Sequence, residues 1–188
     1  MSATETQDVI LDAVQSVIVR EGVSGASMRQ VAQEADVSVG LLSYHFEDKD
    51  SLIMAAFERA TTMLRDVSVK SAAKVEDPEK KVLEFIRGSF EPEFLNSDYL
   101  RLRVSLWAVA LTDPELAKVD TGYYHEYSMM LQGFIAKARP SLSPSAVVKR
   151  TTDVVAYTNG LWLDWARFAN DEDLERGLGN AVAMALGD

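Results

Sequence analysis

Cysteine is absent from the 188 residues. Disulfides, thiolate metal sites and cysteine nucleophiles are therefore excluded, and nothing argues for an oxidising compartment. Histidine is scarce, with His45 and His125 alone in the chain. The stretch after His125, HEYSM, lacks the second histidine that a zinc-binding helix requires. No phosphate-cradling glycine loop or dinucleotide fingerprint occurs, because Gly177 and Gly179 lie near the end without a preceding strand pattern. Catalysis, a cofactor and a metal centre are accordingly not expected. No apolar run approaches the roughly 20 residues of a membrane helix, and the opening MSATETQDV lacks the basic and apolar regions of a signal peptide. The expectation is a soluble cytoplasmic protein with no membrane partner. Positive charge is also in short supply, 19 Lys and Arg against 29 carboxylates for a net −10.

Helical periodicity and its punctuation are what the chain has. Asp77-Pro78, Asp113-Pro114 and Ser143-Pro144 each set a capping side chain before a proline, where the missing N–H costs nothing. Apolar residues recur at helical spacing between these marks, as in Leu52, Phe57, Ala60 and Leu64, or Val82, Phe85, Ile86 and Phe90. Convincing strand alternation is missing. An all-α fold of about nine helices is expected, near residues 5–21, 27–35, 38–45, 48–71, 78–91, 97–111, 114–138, 144–169 and 171–186.

The segment Ser27 to Lys49, SMRQVAQEADVSVGLLSYHFEDK, holds two short helical patterns around a tight turn. Ser27 and Gln30 have the spacing of a capping box, Asp36 and Val37 make the turn, and Ser38 is placed to cap the second helix. Leu42 and Phe46 recur four apart and should face inward, leaving Val39, Gly40, Ser43 and Tyr44 outward. A helix-turn-helix reads the DNA major groove in this way.

These residues resemble the DNA-binding domain of the tetracycline-repressor (TetR) family of bacterial one-component regulators, from about Ile10 to Phe57. ILDAVQSVIVREG is similar to the family's first helix with its closing glycine, SMRQVAQEADVS to the second, and VGLLSYHFEDKDSLIMAAF to the recognition helix and the start of a connector helix. Ser43 stands where the family usually has tyrosine, as in the subgroup of betaine-synthesis, choline-responsive repressors. NGLWLDWAR, from Asn159 to Arg167, also resembles that subgroup. The resemblance implies an N-terminal helix-turn-helix domain over 1–47 and an effector-binding and dimerisation domain over 48–188. It implies a homodimeric repressor that binds a palindromic double-stranded operator and is released by a small-molecule effector.

On this reading Arg29 and Tyr44 read or clamp the groove, with Val39 and Gly40 beside them. Ser27, Ser38, Ser43 and Lys49 contact phosphates, and His45 joins them or braces Tyr44 through a ring hydrogen bond. Charge opposes the reading: residues 1–50 hold Arg20, Arg29 and Lys49 against nine carboxylates, a balance of −6. Lysine and arginine normally supply non-specific affinity for phosphates. A helical protein-interaction or small-molecule-binding module that has lost specific DNA binding explains that acidity and stays open.

Candidates for the effector site are Trp107, Tyr123, Tyr124, Tyr127, Met130, Asn159 and Trp162. The likeness to that subgroup implies a quaternary ammonium or a polyamine as the effector class, since aromatic faces attract such cations, with Glu126 or Asp164 adding charge. Aromatics at this spacing also simply fill bundle interiors. The dimer face is expected along the last two helices, at Ala156, Gly160, Asp164, Arg167, Leu178, Ala181, Val182 and Ala185, as a four-helix bundle across a twofold axis. The other reading of that apolar surface is the protomer's own core, and Trp162 and Trp165 fit either.

Overall fold

The computed structural model describes residues 3–187. Among these, nine α-helices follow one another: α1 (Ala3–Gly25), α2 (Met28–Glu34), α3 (Val39–His45), α4 (Lys49–Ala73), α5 (Pro78–Gly88), α6 (Ser97–Ala110), α7 (Pro114–Ala138), α8 (Pro144–Phe168) and α9 (Asp171–Leu186). The three proline marks open α5, α7 and α8 as expected. Asp77 accepts a hydrogen bond from the Lys80 amide at 2.9 Å, Asp113 from Leu116 at 3.1 Å and Ser143 from Ala146 at 3.2 Å.

The end of α1 departs from the expected 5–21. The helix continues to Gly25 across a break at Gly22, whose φ is 76° and ψ 170°. Such a backbone is essentially restricted to glycine. A Cβ at Gly22 would meet nothing within 4 Å, so the requirement there is one of dihedral angle and not of space.

The chain divides by packing into two compact units, residues 1–62 with 98–121, and 63–97 with 122–188. The second helix of the helix-turn-helix, α3, ends at His45, just before the expected boundary at residue 47. The first unit, however, also takes in the start of α4 and all but the first residue of α6. Its core joins Ile10, Val14 and Ile18 of α1, Val31 of α2, Leu42 of α3, Leu52 and Phe57 of α4, and Leu106 of α6, all essentially inaccessible. Burial of each such side chain contributes about 1.5–3 kcal/mol. Tyr99 adds a hydrogen bond to the Ala60 carbonyl at 3.0 Å, and Arg59 ties α4 to α1 through Asp12 at 2.6 Å.

In the second unit, Val82, Phe85 and Ile86 form the buried stripe of α5, and Leu131 and Ile135 that of α7. Val154, Thr158 and Trp162 of α8 are buried too, as are Leu174, Leu178, Ala181 and Ala185 of α9. Gly88 marks a close approach: a Cβ there would stand 2.5 Å from the Ser68 Cα, so α5 touches α4 backbone to backbone. A buried chain of hydroxyls runs beside this contact, Ser68 to Ser89 at 3.0 Å and Ser89 to Tyr127 at 3.2 Å.

Candidate nucleic-acid interface and effector body

The head is assembled from its caps. The Ser27 amide donates to Gln30 Oε1 at 3.3 Å and the Gln30 amide donates to Ser27 Oγ at 3.3 Å, completing the capping box that starts α2. Gln30 Nε2 also donates to Glu21 at 2.5 Å, fixing this cap to the end of α1. The Ser27 hydroxyl is thus committed within the fold, donating to Gln30 Oε1 at 2.8 Å. Between the helices Asp36 takes φ 52°, a left-handed conformation that aspartate tolerates better than most side chains. Ser38 then accepts from the Leu41 amide at 3.1 Å and starts α3. Asp48 caps α4 by accepting from the Ser51 amide at 2.8 Å. The hydrogen bonds from Ser51, the backbone one foremost, hold the Asp48 carboxyl below the usual carboxylate range.

α3 divides as its spacing predicts. Leu42 and Phe46 are buried, while Val39 is 46 % exposed, Tyr44 is 81 % exposed, and Gly40 and Ser43 are open to solvent. Leu41, 39 % exposed, joins this outer face and was missed by the four-residue spacing, which locates the inner face only. His45 is half-buried, and its ring meets Tyr44 edge to face, centroids 5.3 Å apart at 86°. Of the two roles expected of His45, the bracing of Tyr44 takes the form of this ring contact. Lys49 donates its ammonium to the Ser24 carbonyl at 3.1 Å, holding the start of α4 to the end of α1. Arg20 is bound by Glu21 and Glu34, each at 3.1 Å. Arg29 lies exposed on α2 and forms no ion pair among the described residues.

The expected effector residues fall in both units. Trp107 belongs to the first, where the guanidinium of Arg103, itself 4 % exposed, lies 4.9 Å from its ring centroid. Burial raises the Asp120 carboxyl nearby, against the pull of the Arg103 charge. In the second unit, Tyr123 packs against Tyr124 and Tyr127 at 6.2 Å each, and Asn159 donates to the Tyr124 hydroxyl. Tyr127 is buried against Phe85 at 4.7 Å, and burial pushes its phenol up to about 12. Trp162 is core, packed on Phe90 at 5.6 Å, and Met130 faces outward. Tyr123, Tyr124, Tyr127 and Asn159 are therefore brought together within the second unit, and Trp107 belongs to the first. Glu126 is occupied by Arg65 at 2.5 Å, and Asp164 is exposed. A separate open groove of about 630 Å³ between α5 and α9 was not foreseen; Leu83, Phe90, Leu174 and Leu178 line it, with Glu84, Glu91, Asp171 and Glu175 around them.

The expected dimer face is split. Ala156, Gly160, Asp164 and Arg167 form an exposed strip along α8. Leu178, Ala181 and Ala185 instead belong to the chain's own core, and Val182 is half-buried. The physical reason is Gly177, where a Cβ would stand 2.4 Å from Leu161 Cδ2: α9 lies so close to α8 that its apolar stripe is covered from within.

A capped helix-turn-helix whose second helix presents an outer face, followed by a wholly helical body, is the architecture of a DNA-binding regulator. The family profile described as bacterial regulatory proteins, tetR family, matches residues 10–56, and that of the BetI-type transcriptional repressor, C-terminal, matches residues 78–186. The chain is 27 % identical over 177 residues to the HTH-type transcriptional regulator BetI of Paraburkholderia xenovorans, covering 92 % of this chain and 87 % of that one. A crystal structure of a transcriptional regulator from Pseudomonas aeruginosa PAO1 superposes with a TM-score of 0.87 at 22 % identity, covering 98 % and 90 % of the two chains. A Saccharomonospora viridis regulator solved in complex with choline gives 0.79 at 15 % identity, covering 95 % and 94 %. The chain belongs to the tetR family of bacterial regulatory proteins, as a transcriptional regulator with a BetI-type C-terminal body.

Proposed function

We propose that this regulator is a cytoplasmic, non-catalytic homodimeric repressor that occupies a palindromic operator and leaves it when a small organic cation binds the body. The observation that carries the reading is α3, with Val39, Gly40, Leu41, Ser43 and Tyr44 held outward over buried Leu42 and Phe46. Arg29 and Tyr44 clamp or read the groove. Ser38, Ser43 and Lys49 meet phosphates, Lys49 with the N–H groups that Ser24 leaves over. Two heads about 34–36 Å apart fit successive major grooves of one operator. The exposed α8 strip is the part of the expected dimer face available to a second copy.

The effector class draws support from the ring cluster of Tyr123, Tyr124 and Tyr127 beside Asn159, because aromatic faces attract quaternary ammonium groups, and from the choline complex of the Saccharomonospora viridis regulator. A ligand releases DNA only if it binds the DNA-incompetent conformation more tightly than the competent one. Calorimetric titration with choline, betaine and spermidine, paired with operator release measured by mobility shift, tests the proposal. Heat together with release is expected for at least one of them. No heat at millimolar concentration overturns the effector class.

The acidic head, −6 over residues 1–50, favours a second reading, an interaction module without an operator. Failure of the protein to enrich any sequence from random duplex DNA would select that reading.

A further inference from the structure

Each base presents its own groups in the major groove. Guanine offers two acceptors that arginine or lysine meets, adenine a donor and acceptor that asparagine or glutamine meets, cytosine an amino donor suited to a carboxylate, and thymine a methyl suited to an apolar side chain. α3, VGLLSYH, contains no arginine, lysine, asparagine, glutamine or carboxylate. Its first turn offers Val39 and Leu41 instead, 46 % and 39 % exposed, on either side of Gly40.

Gly40 adds an independent observation. A helical glycine is conformationally unfavourable, yet here it has no packing duty: a Cβ at this position would approach only Ser38 Oγ, at 3.9 Å. A bare backbone at this exposed place leaves room for close approach to an external surface. The two flanking side chains then reach that surface with branched hydrocarbon and nothing else.

We infer that Val39 and Leu41 read thymine methyl groups, so that the bases beneath the start of α3 are specified as thymine and not as guanine. This rests on the operator-binding reading above and names the kind of sequence that reading requires. Ser43 supplies a hydroxyl usable with several bases, and cationic readout in the head is left to Arg29 on α2.

The test uses the full-length protein and the duplex it selects from a random pool. Replacing one thymine by uracil removes only the methyl. The expected loss is about fourfold per methyl contacted, and about 16-fold when both half-sites are changed. Where a thymine pair is exchanged for a cytosine pair, 5-methylcytosine should bind about fourfold more tightly than cytosine. Leu41→Ala and Val39→Ala, both at exposed positions clear of the core, should each erase the uracil penalty at its own base and keep it at the other's. A selected site with guanine or cytosine throughout the positions beneath α3 overturns the inference and leaves operator binding standing. So do uracil substitutions that leave affinity unchanged. No enrichment of any sequence overturns operator binding, and this inference with it.

Discussion

Raising the salt concentration should weaken operator binding only gently. Residues 1–50 carry Arg20, Arg29 and Lys49 against nine carboxylates. Arg20 is held between Glu21 and Glu34, and Arg59 on the adjoining helix is held by Asp12. At most two cations per head, Lys49 and, where it clamps a phosphate instead of reading a base, Arg29, are then in a position to meet phosphates. Each phosphate neutralised contributes about −0.9 to the slope of log affinity against log salt, so two heads making about four such contacts give a slope of about −3.6. Raising salt from about 50 to about 200 mM costs about 150-fold on that slope, against a thousandfold or more for a protein with six to ten contacts. Hydrogen bonds from Ser38, Ser43 and backbone amides add affinity without steepening it. Fluorescence anisotropy of a labelled operator over a salt series at neutral pH measures the slope directly. A value steeper than about −6 would refute the reasoning, because the two heads do not hold that many available cations.

Arg29→Ala should weaken operator binding by about 1–3 kcal/mol if its guanidinium contacts a base; unchanged affinity would remove Arg29 from the interface. Gly88→Ala forces a Cβ to 2.5 Å from the Ser68 Cα. Overpacking of this kind costs about 1–3 kcal/mol and should lower Tm by about 2–12 °C in a chain of this size, and circular dichroism showing an unchanged Tm would mean that α5 is free to yield. The Tyr127 phenol, pushed up to about 12 by burial, keeps its proton more tightly in the folded state than in the unfolded one. Its contribution, on the order of 2–3 kcal/mol, is present below the unfolded value near 10 and is lost as pH rises through the folded value. Denaturant titrations across that alkaline window should show the loss in the native sequence and a markedly flatter profile in Tyr127→Phe. Identical profiles would assign the alkaline transition to other groups.

Helix positions were largely legible because their ends are written in side chains: aspartate or serine before proline at residues 77, 113 and 143, and Ser27 and Ser38 at the turn. The inner face of α3 was legible for a similar reason, since a spacing of four returns Leu42 and Phe46 to one side of a helix. Spacing cannot say what covers a face. Leu178, Ala181 and Ala185 share one stripe whether that stripe meets a partner or the same protomer, and the contact at Gly177 that decides the matter joins residues 16 apart in sequence, Leu161 and Gly177. The aromatic residues pose the same difficulty. Trp107 and Tyr124 look alike in sequence, but one lies under Arg103 in the first unit and the other is bonded to Asn159 in the second. Lys49 shows a further limit, because its acceptor is the carbonyl of Ser24, a group present at every residue and so invisible to any side-chain pattern.

Selection from a random pool of duplex DNA by the purified protein at low salt, followed by sequencing of the retained fragments, decides whether this head reads an operator. Recovery of a palindrome with half-site centres about one helical turn, or a whole multiple of a turn, apart is the expected result. Retention of fragments no different from the starting pool would contradict it.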